Sequence, residues 1–430
     1  MKLTIPQATK PLTGSISVPG DKSLAHRALL FAAIADGTSR ISNYPDSGVT
    51  RSMRKALEAL GIKNNLSHDG VLTLEGNGLN PFPCMPGTVA YCGNSATTIR
   101  LLAGVLAGTG TVAVLDGSEG LRKRPMNRIV DPLRMMGVDV LANEKGCAPL
   151  TFGSLPESGL NAIKYDLPVA SAQVKSCIIL AALGAKGETL IAEPGPSRDH
   201  TERMLRAMGV DIKSDNLSVR VKPCRHLSPI TGVLPNDISS AAFLFAAAAI
   251  VPGSDITVTG IGLNYTRTGI LDILSQMGIE IEVLNERTEF GEPVGDVRVR
   301  NTGKLHGIEI DGDLVVRAID EFPAVAVVAA FAEGDTVARG AMELRFKESD
   351  RITAIVTQLK ALGVEAEESE DGFRVRGGTI KGGVAHANGD HRLAMSMSLA
   401  GLRVPVSVEG AEILTESFPD FVDAVKALSV

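Results

Sequence analysis

Several charged or hydrogen-bonding side chains lie close together in VPGDKSLAHRALL, residues 18–30. Asp21 is a suitable N-cap for the apolar run that follows, which puts Lys22, Ser23 and Arg27 in the first turns of a predicted helix. Cations at a helix N-terminus are disfavoured by the helix dipole, by a few tenths to about 1 kcal/mol each. A bound anion would reverse this cost, because free N–H groups, a hydroxyl and both cations would then point at it. The segment therefore predicts an anion site, with a solvated basic turn as the alternative.

Other segments of the first half have a similar character. CGNSATTIRLLAGVLAG, residues 92–108, begins with small residues that would let backbone N–H groups approach a ligand closely. GLRKRPMNR, residues 120–128, is strongly basic. PVASAQVKS, residues 168–176, offers neutral hydrogen-bonding side chains. SRDHTERML, residues 197–205, contains both charged and neutral hydrogen-bonding side chains. Each segment alone is also compatible with a capped helix or a solvated loop. Together they predict one anion-binding cleft, provided that the helix N-termini converge.

Acidic residues in the second half are candidates for proton transfer. AIDEFPAVAVVAAFAEG, residues 318–334, sets Asp320 and Glu321 against a long apolar helix, where a carboxylate could have a raised pKa and act as a base. ELRFKESDR, residues 343–351, and GDHRLAM, residues 389–395, combine acids with cations ahead of further predicted helices. Charged clusters at helix starts are therefore a recurring feature of the chain.

A repeated phrase indicates which elements position these clusters. Each copy is typical of the last turn of a helix, a glycine C-cap and a strand. The copies are LEALGIK at 57–63, LRMMGVDV at 133–140, LRAMGVDI at 205–212, LSQMGIEI at 274–281, LKALGVEA at 359–366 and a worn VKALSV at 425–430. Their spacing of roughly 70 residues predicts an α/β fold of six duplicated units, in which the glycines are structural.

A second similarity divides the chain into halves. VLPNDISSAAFLFAA, residues 233–247, resembles the opening segment, since each has a proline, an aspartate and a serine before an alanine-rich helix. The second copy lacks the lysine and the arginine. This asymmetry is expected of a duplicated scaffold in which one copy binds the ligand.

Composition limits the classes of function. The chain has 430 residues, is 44% apolar and 21% charged, and carries a net charge of −6, which is typical of a globular protein of two domains or more. The acidic balance argues against nucleic acid or membrane partners. No transmembrane helix or signal peptide is predicted. Five cysteines without a CxxC motif favour reduced thiols in the cytoplasm and make a zinc site an unfavourable hypothesis.

The segments together resemble the 5-enolpyruvylshikimate-3-phosphate (EPSP) synthase family. The motifs PGDKSxxHR, GNSATTxR, LRKRPM, ASAQVKS, SRDHTERM, DEFP, KESDR and DHRxAM occur in that family's order over nearly the whole chain. The resemblance implies a two-domain inverse α/β barrel, the enolpyruvyl transferase fold, built from six βαβαββ units with the active site in the interdomain cleft. The domains would be residues 21–235, mainly binding shikimate 3-phosphate, and residues 1–20 plus 236–430, with the catalytic Asp, Glu and Arg set.

The resemblance also implies a reaction and a set of site residues. The family transfers the enolpyruvyl group of phosphoenolpyruvate to the 5-hydroxyl of shikimate 3-phosphate, through a tetrahedral addition–elimination intermediate, and needs no metal or organic cofactor. Asp320 would deprotonate the 5-hydroxyl, Glu348, near Lys22 or Lys347, would exchange a proton with the methylene carbon, and Lys22 would bridge both substrates. The residues expected at shikimate 3-phosphate are Lys22, Ser23, Arg27, Ser171, Gln173, Ser197, Asp320 and Lys347. Those expected at phosphoenolpyruvate are Lys22, Gly93, Asn94, Ala96, Arg124, Gln173, Arg351 and Arg392.

Three positions depart from the common family pattern. Ala172 replaces a second serine, so one contact to the shikimate phosphate is expected to be absent or to come from the backbone. Glu416 stands where some members have a lysine, and is expected to point away. Ala96 replaces a glycine of inhibitor-sensitive members, and Ala96, Ala172 and SRDHTERM together resemble the glyphosate-insensitive (class II) branch. Weak glyphosate binding is expected, because one methyl in a close-packed wall costs about 1–3 kcal/mol.

Two alternatives are weighed against this interpretation. The UDP-N-acetylglucosamine enolpyruvyl transferase family shares the architecture, but places a cysteine in the loop before its Arg-Pro-Met-like segment, and SEGLRKRPM has none. A non-catalytic anion-binding relative would be expected to lack Asp320 or Glu348, and both are present. The expected partners are therefore the two small-molecule substrates, bound by a monomer whose domains close on binding.

Overall fold

The computed structural model describes residues 1–215, 217–378 and 380–429, and it confirms the α/β class. The α-helices are, in chain order, Lys22–Ala33 (α1), Gly48–Ala59 (α2), Ala96–Thr109 (α3), Glu119–Arg122 (α4), Asn127–Met135 (α5), Ala172–Ala182 (α6), His200–Ala207 (α7), Ile238–Ile250 (α8), Gly269–Gln276 (α9), Gly312–Arg317 (α10), Phe322–Ala330 (α11), Arg351–Ala361 (α12), His391–Leu399 (α13) and Phe421–Ala427 (α14). Short 3₁₀ helices are Tyr265–Arg267, Met342–Phe346, Ala400–Leu402 and Ala411–Glu416.

The strands are short and are distributed along the whole described chain. They are, in chain order, Lys2–Leu3 (β1), Thr13–Ile16 (β2), Asp36–Ser42 (β3), Asn64–Leu66 (β4), Leu72–Asn77 (β5), Thr88–Tyr91 (β6), Ala113–Asp116 (β7), Val140–Leu141 (β8), Leu150–Phe152 (β9), Lys164–Asp166 (β10), Thr189–Ala192 (β11), Ile212–Asp215 (β12), Ser218–Val221 (β13), Thr231–Val233 (β14), Asp255–Gly262 (β15), Glu280–Glu289 (β16), Glu292–Arg300 (β17), Glu309–Ile310 (β18), Asp335–Ala338 (β19), Glu365–Ser369 (β20), Gly372–Arg376 (β21), Gly383–His386 (β22) and Val406–Glu409 (β23).

These strands form six small sheets within the described ranges, as the six predicted units require. Their orders are β14-β3-β5-β4, β6-β7-β9-β8, β10-β11-β13-β12, β16-β17-β15-β2, β18-β19-β21-β20 and β1-β23-β22. The third of these shows the βαβαββ unit most simply: β10 and β11 are parallel with α6 between them, α7 follows, and the antiparallel hairpin β12–β13 completes the sheet. In three sheets one strand is supplied from a distant part of the chain, because β14 pairs with β3, β2 pairs with β15 and β1 pairs with β23.

The repeated glycines are helix C-caps, as predicted. Gly61, Gly137, Gly209, Gly278 and Gly363 have φ between 83° and 103°, a backbone region that favours glycine. In each copy the glycine N–H bonds to the carbonyl three residues earlier, and the next N–H bonds to the carbonyl five residues earlier. At Gly209 these N–O distances are 3.1 Å to Arg206 and 3.0 Å from Val210 to Leu205. The same Schellman motif therefore turns each helix towards the strand that follows it.

The described chain forms two compact units. The first unit contains residues 20–235 and 288–292, and the second contains residues 1–19, 236–287 and 293–430. Each unit has its own apolar core. The unit boundaries differ from the predicted ones at two places, because Gly20 and residues 288–292 lie in the first unit. Residues 288–292 belong to this unit because Phe290 packs against its core and Glu292 binds His200 of the same unit at 2.9 Å.

The two similar segments that open the halves have matching local structures. In the first unit, the side chain of Asp21 accepts a hydrogen bond from the Leu24 N–H at 2.9 Å and caps α1. In the second unit, Asp237 accepts one from the Ser239 N–H at 2.9 Å and caps α8. Among the described residues, no helix has the length and apolar character that crossing a membrane requires.

Candidate active site

The N-terminal turn of α1 holds its charged side chains in different environments. Lys22 and Ser23 are partly exposed, whereas Arg27, one turn further along, is 3% exposed. Its guanidinium donates to Thr201 Oγ1 at 2.8 Å, to the Ser23 carbonyl at 3.0 Å and to Ser176 Oγ at 3.1 Å. Burial lowers the pKa of Arg27 to about 10, which leaves it charged at neutral pH. Arg27 is therefore held beneath the turn by hydroxyls of α6 and α7.

The N-termini of α3 and α6 lie side by side. Ser171 caps α6, and Gln173 in its first turn donates to Thr97 Oγ1 of α3 at 2.9 Å. Arg100 donates to the other amide atom, Gln173 Oε1, at 2.5 Å, and to the Pro125 carbonyl at 3.2 Å. The bonds of Arg100 join three of the predicted segments, at α3, at α6 and in the basic loop.

Arg100 is a site residue that the sequence analysis did not nominate. Burial, with the like charges of Arg124 and Arg128 as smaller causes, lowers its pKa to about 10. The sequence could have indicated this role for Arg100, because Arg100 lies four positions after Ala96 and therefore on the same face of the predicted helix. Arg100, Arg124 and Arg128 thus concentrate positive charge beside Gln173 in the first unit.

Two glycines let α3 and α6 approach this closely. A Cβ atom added to Gly104 would overlap the backbone of Cys177, and one added to Gly108 would overlap the Leu180 carbonyl. Side chains larger than hydrogen would push the helices apart and would separate Gln173 from its partners on α3. The small residues inside α3 are therefore needed for the geometry at its N-terminus.

The turn before α3 is also ordered by specific contacts. Gly93 has φ of +60°, and its carbonyl accepts from the Ser118 N–H at 2.8 Å. Asn94 Oδ1 accepts from Ser118 Oγ at 3.0 Å, and Ser95 caps the helix through the Thr98 N–H at 3.1 Å. Ala96, the first residue of α3, is 8% exposed, so its methyl group is packed against neighbours.

In the second unit, Arg351 is the centre of an ion network. Its side chain is 1% exposed and donates to Asp390 Oδ2 at 2.7 Å and to Glu348 Oε2 at 2.6 Å. The third carboxylate, Asp320 Oδ1, is 3.5 Å from the remaining terminal nitrogen. Burial alone would lower the pKa of Arg351, but the charges of these three carboxylates outweigh it and raise the pKa.

Asp320 lies between two cations. Besides Arg351, Lys347 Nζ is 3.6 Å from Asp320 Oδ1, and the Asp320 side chain is 15% exposed, so that it is accessible to a ligand. Glu348, expected near Lys22 or Lys347, is paired with Arg351, and its side chain is 44% exposed. The structure thus brings Asp320, Lys347, Glu348 and Arg351 into one cluster.

Arg392 joins the same cluster through α13. It donates to the Asp320 carbonyl at 3.0 Å, and it lies 3.7 Å from Glu321 Oε1. Burial raises the pKa of Glu321, whereas Asp320 has the more exposed side chain of the two. In the DEFP motif, Glu321 is therefore the carboxyl group whose pKa is raised by burial. Glu416, at the end of a 3₁₀ helix, is exposed.

Comparison with known proteins places this geometry in a family. The family model described as EPSP synthase (3-phosphoshikimate 1-carboxyvinyltransferase) matches residues 6–425. A 3-phosphoshikimate 1-carboxyvinyltransferase of Syntrophomonas wolfei is 46% identical over 430 residues, covering 99% of each chain. One from Citrifermentans bemidjiense is 46% identical over 424 residues, covering 97% of each. The chain belongs to the EPSP synthase family.

Solved structures agree with EPSP synthase membership. The EPSP synthase of Acinetobacter baumannii has a TM-score of 0.91 with 41% identity, covering 99% of this chain and 98% of that one. The enolpyruvyl transferase NikO of Streptomyces tendae, at 21% identity and a TM-score of 0.78, shares the fold over 99% of this chain and 97% of its own. Members of the EPSP synthase family are transferases of the shikimate pathway, and these matches do not favour the UDP-N-acetylglucosamine alternative.

His26, in the EPSP synthase motif at α1, is buried among neutral groups and cations. Its Nδ1 is 2.6 Å from the Lys22 carbonyl, and Nε2 is 3.5 Å from Ser95 Oγ. Burial, with the charge of Arg27 as a smaller cause, lowers the pKa of His26 from 6.5 to about 4. His26 is therefore neutral in the folded protein at neutral pH and links α1 to the turn before α3.

This lowered pKa predicts an acid-sensitive fold. Below pH 6.5 the unfolded chain binds a proton that folded His26 resists, so stability present above pH 6.5 is lost as pH falls towards 4. Asparagine does not titrate in this range. When the pH is lowered from 6.5 to 4, the unfolding free energy of His26→Asn is therefore expected to fall by about 3 kcal/mol less than that of the unmutated chain. Urea unfolding at stepwise pH measures this difference. The exposed His226→Asn serves as control and should follow the unmutated chain; identical pH dependence in His26→Asn would contradict the prediction.

Proposed function

We propose that this chain transfers the enolpyruvyl group of phosphoenolpyruvate to the 5-hydroxyl of shikimate 3-phosphate and releases phosphate. The observation that carries this proposal is the placement of Asp320 between Lys347 and Arg351, in a chain of the EPSP synthase family. A carboxylate placed against a substrate hydroxyl can accept its proton, while the neighbouring cations can hold an anionic substrate.

Shikimate 3-phosphate is held, in this proposal, by a set of cationic and hydrogen-bonding side chains. These are Lys22, Ser23, Arg27, Ser171, Gln173, Ser197, Asp320 and Lys347. Helix N–H groups at the starts of α1 and α6 and the charge of Lys22 suit a phosphate. Gln173, oriented by Arg100 and Thr97, suits recognition of neutral hydroxyls. Ala172 has no side-chain donor, so any phosphate contact there comes from its backbone.

Phosphoenolpyruvate is proposed to bind to arginine side chains. Arg124, Arg351 and Arg392 would grip its carboxylate and phosphate, since guanidinium groups bind both bidentately. Gly93, Asn94 and Ala96 would line its site through the backbone at the start of α3. Lys22 would contact both substrates.

The proposed chemistry proceeds by addition and elimination. Asp320 removes the proton of the 5-hydroxyl as its oxygen attacks C2 of phosphoenolpyruvate, and Glu348 donates a proton to C3, which converts the methylene group to a methyl group. In the tetrahedral product, removal of a C3 proton by Glu348 re-forms the double bond as the C2–O bond to phosphate breaks, and the proton held by Asp320 passes to the released phosphate. Arg351, which binds Glu348 at 2.6 Å, orients that carboxylate for both transfers.

A phosphate-release assay tests the proposal. Purified protein is given shikimate 3-phosphate and phosphoenolpyruvate together, and then each alone, with mass spectrometry of the organic product. Release of phosphate and appearance of the enolpyruvyl ether only with both substrates is the expected result. Release with UDP-N-acetylglucosamine in place of shikimate 3-phosphate, or no release in any mixture, would reject it.

We also propose that the chain acts as a monomer in the cytoplasm. All five cysteines are free thiols, which suits a reducing compartment. Each unit buries its own apolar core, so no partner chain is needed to cover one. Sedimentation equilibrium at enzyme concentrations used in the assay would test the monomer.

A final proposal concerns glyphosate, which would bind weakly as it does in the class II branch. The buried methyl of Ala96 would narrow the phosphoenolpyruvate site against a longer inhibitor. Ala96→Gly is therefore expected to lower the Ki for glyphosate about 10- to 100-fold, the equivalent of relieving one overpacked methyl group. Inhibition competitive with phosphoenolpyruvate is measured, with Ala103→Gly, a buried alanine further along α3, as the matched control. Potent inhibition of the unmutated chain would contradict the proposal.

A further inference from the structure

A buried ionic cluster in the first unit lies outside the residues given a role so far. Lys175 Nζ on α6 is 2.6 Å from Glu193 Oε1, just after β11, and 2.8 Å from Glu202 Oε1 on α7. The side chains of Lys175, Glu193 and Glu202 are 2%, 5% and 1% exposed. One cation is thus enclosed with two carboxylates.

Stability alone is a poor explanation for such a cluster. Removing three charged groups from water is unfavourable, and apolar replacements of buried ion pairs are often neutral or stabilising. Burial opposes the charge on Lys175, but the two carboxylates outweigh it and raise its pKa, so that Lys175 stays protonated. Burial raises the pKa of Glu202 even beside this lysine. The cluster therefore suggests a role in orienting neighbouring groups.

Those neighbours are two residues proposed to bind shikimate 3-phosphate. Ser197 Oγ donates to Oε2 of the Glu193 carboxylate, and Lys175 Nζ donates to Oε1 of the same carboxylate. Lys175 therefore orients Ser197 through Glu193. Next to the Lys175–Glu202 pair, Ser176 Oγ is 2.7 Å from Thr201 Oγ1, and both hydroxyls accept from Arg27. The Lys175–Glu202 ion pair and the Ser176–Thr201 hydroxyl pair thus connect α6 and α7 at adjacent positions. Arg27 is bound to the hydroxyl pair.

We propose that Lys175 is a positioning residue for the shikimate 3-phosphate site, which it orders through Glu193 to Ser197 and through the α6–α7 links to Arg27. It also neutralises two carboxylates that would otherwise repel a bound phosphate. This inference rests on the proposed function. It concerns a residue that does not itself touch substrate, so the expected effect is on substrate binding rather than on the chemical step.

Lys175→Met is the first test. Loss of the charged contact to Glu193 is expected to raise the Kd and the KM for shikimate 3-phosphate at least about tenfold, with the KM for phosphoenolpyruvate and kcat much less affected. Lys175→Arg, which keeps the charge, should recover most of the affinity. Lys186→Met, an exposed lysine of the same unit, is the matched control. Calorimetric titration with shikimate 3-phosphate and steady-state kinetics measure these quantities.

A second variant keeps the test decisive if Lys175→Met fails to fold. Glu193→Gln leaves the Lys175–Glu202 pair intact and removes only the carboxylate that orients Ser197, so it too should raise the Kd for shikimate 3-phosphate selectively. Normal binding of shikimate 3-phosphate by folded Lys175→Met or Glu193→Gln overturns the inference, as does an equal loss for both substrates. The unmutated chain is titrated in parallel: if it neither binds shikimate 3-phosphate nor releases phosphate, the proposed function fails instead.

Discussion

Replacing Asp320 with asparagine is expected to lower kcat about 10²- to 10⁴-fold, the usual contribution of a positioned general base. Asparagine has nearly the same shape, so the packing of the 318–322 segment is retained, but the amide cannot accept the proton of the 5-hydroxyl. The two neighbouring cations, at 3.5 and 3.6 Å, can still hold an anionic substrate. The KM for phosphoenolpyruvate should therefore change much less than kcat.

Steady-state phosphate release and single-turnover kinetics measure this loss. Asp335→Asn is the matched control, because Asp335 is an exposed aspartate of the same unit that pairs with Arg374 at 2.8 Å, and it should leave kcat unchanged. A kcat in Asp320→Asn close to that of the unmutated chain would remove Asp320 from proton transfer, and with it the proposed mechanism.

Replacing Arg351 with methionine is expected to cost about 3–5 kcal/mol of unfolding free energy, the usual result of removing one partner of a buried ion pair. Asp390, which is fully buried, would lose the guanidinium bond at 2.7 Å. Glu348 would lose the partner that orients it, so turnover should fall as well. Arg374→Met breaks a solvent-screened pair of the same unit and is expected to leave the unfolding free energy nearly unchanged.

The cost of Arg351→Met should also depend on pH. Burial alone would raise the pKa of Asp390, but the charge and hydrogen bond of Arg351 outweigh burial and lower it. A carboxyl with a lowered folded pKa contributes stability above its unfolded pKa, near 4, and that contribution is lost as pH falls through its folded pKa. The difference between the unmutated chain and the variant, measured by urea unfolding, should therefore narrow in acid. A difference that stays constant with pH would show that Asp390 is not the group left unpaired.

Much of the fold could be predicted from the sequence, because its signals are local. A glycine at the end of a helix has a positive φ, its N–H donates to the carbonyl three residues earlier, and the next N–H donates to the carbonyl five residues earlier, so LRAMGVDI carries its C-cap and its strand within eight letters. The same holds for the N-cap Asp21, whose bond to Leu24 spans one turn. Six copies of such local signals were sufficient to predict the repeated α/β units.

Side-chain partners were predicted less completely, because tertiary packing decides them. Arg100 meets Gln173 only because α3 and α6 pack through Gly104 and Gly108, and no spacing in the sequence indicates that contact. Phe290, at the tip of a hairpin, belongs to the first unit because of where its ring packs. The motifs indicated which segments carry chemistry, whereas the pairings of their side chains were not visible in them.

The sequence by itself thus determined the helix ends, the strand–helix order and the segments rich in functional groups, since backbone hydrogen bonds over a few residues control these features. Only the tertiary structure decided that Lys175 is enclosed by Glu193 and Glu202, and that Arg351 joins three carboxylates. The reason is physical: the energy of a charge depends on its burial and its neighbours, and both are set by elements that lie far apart in the chain.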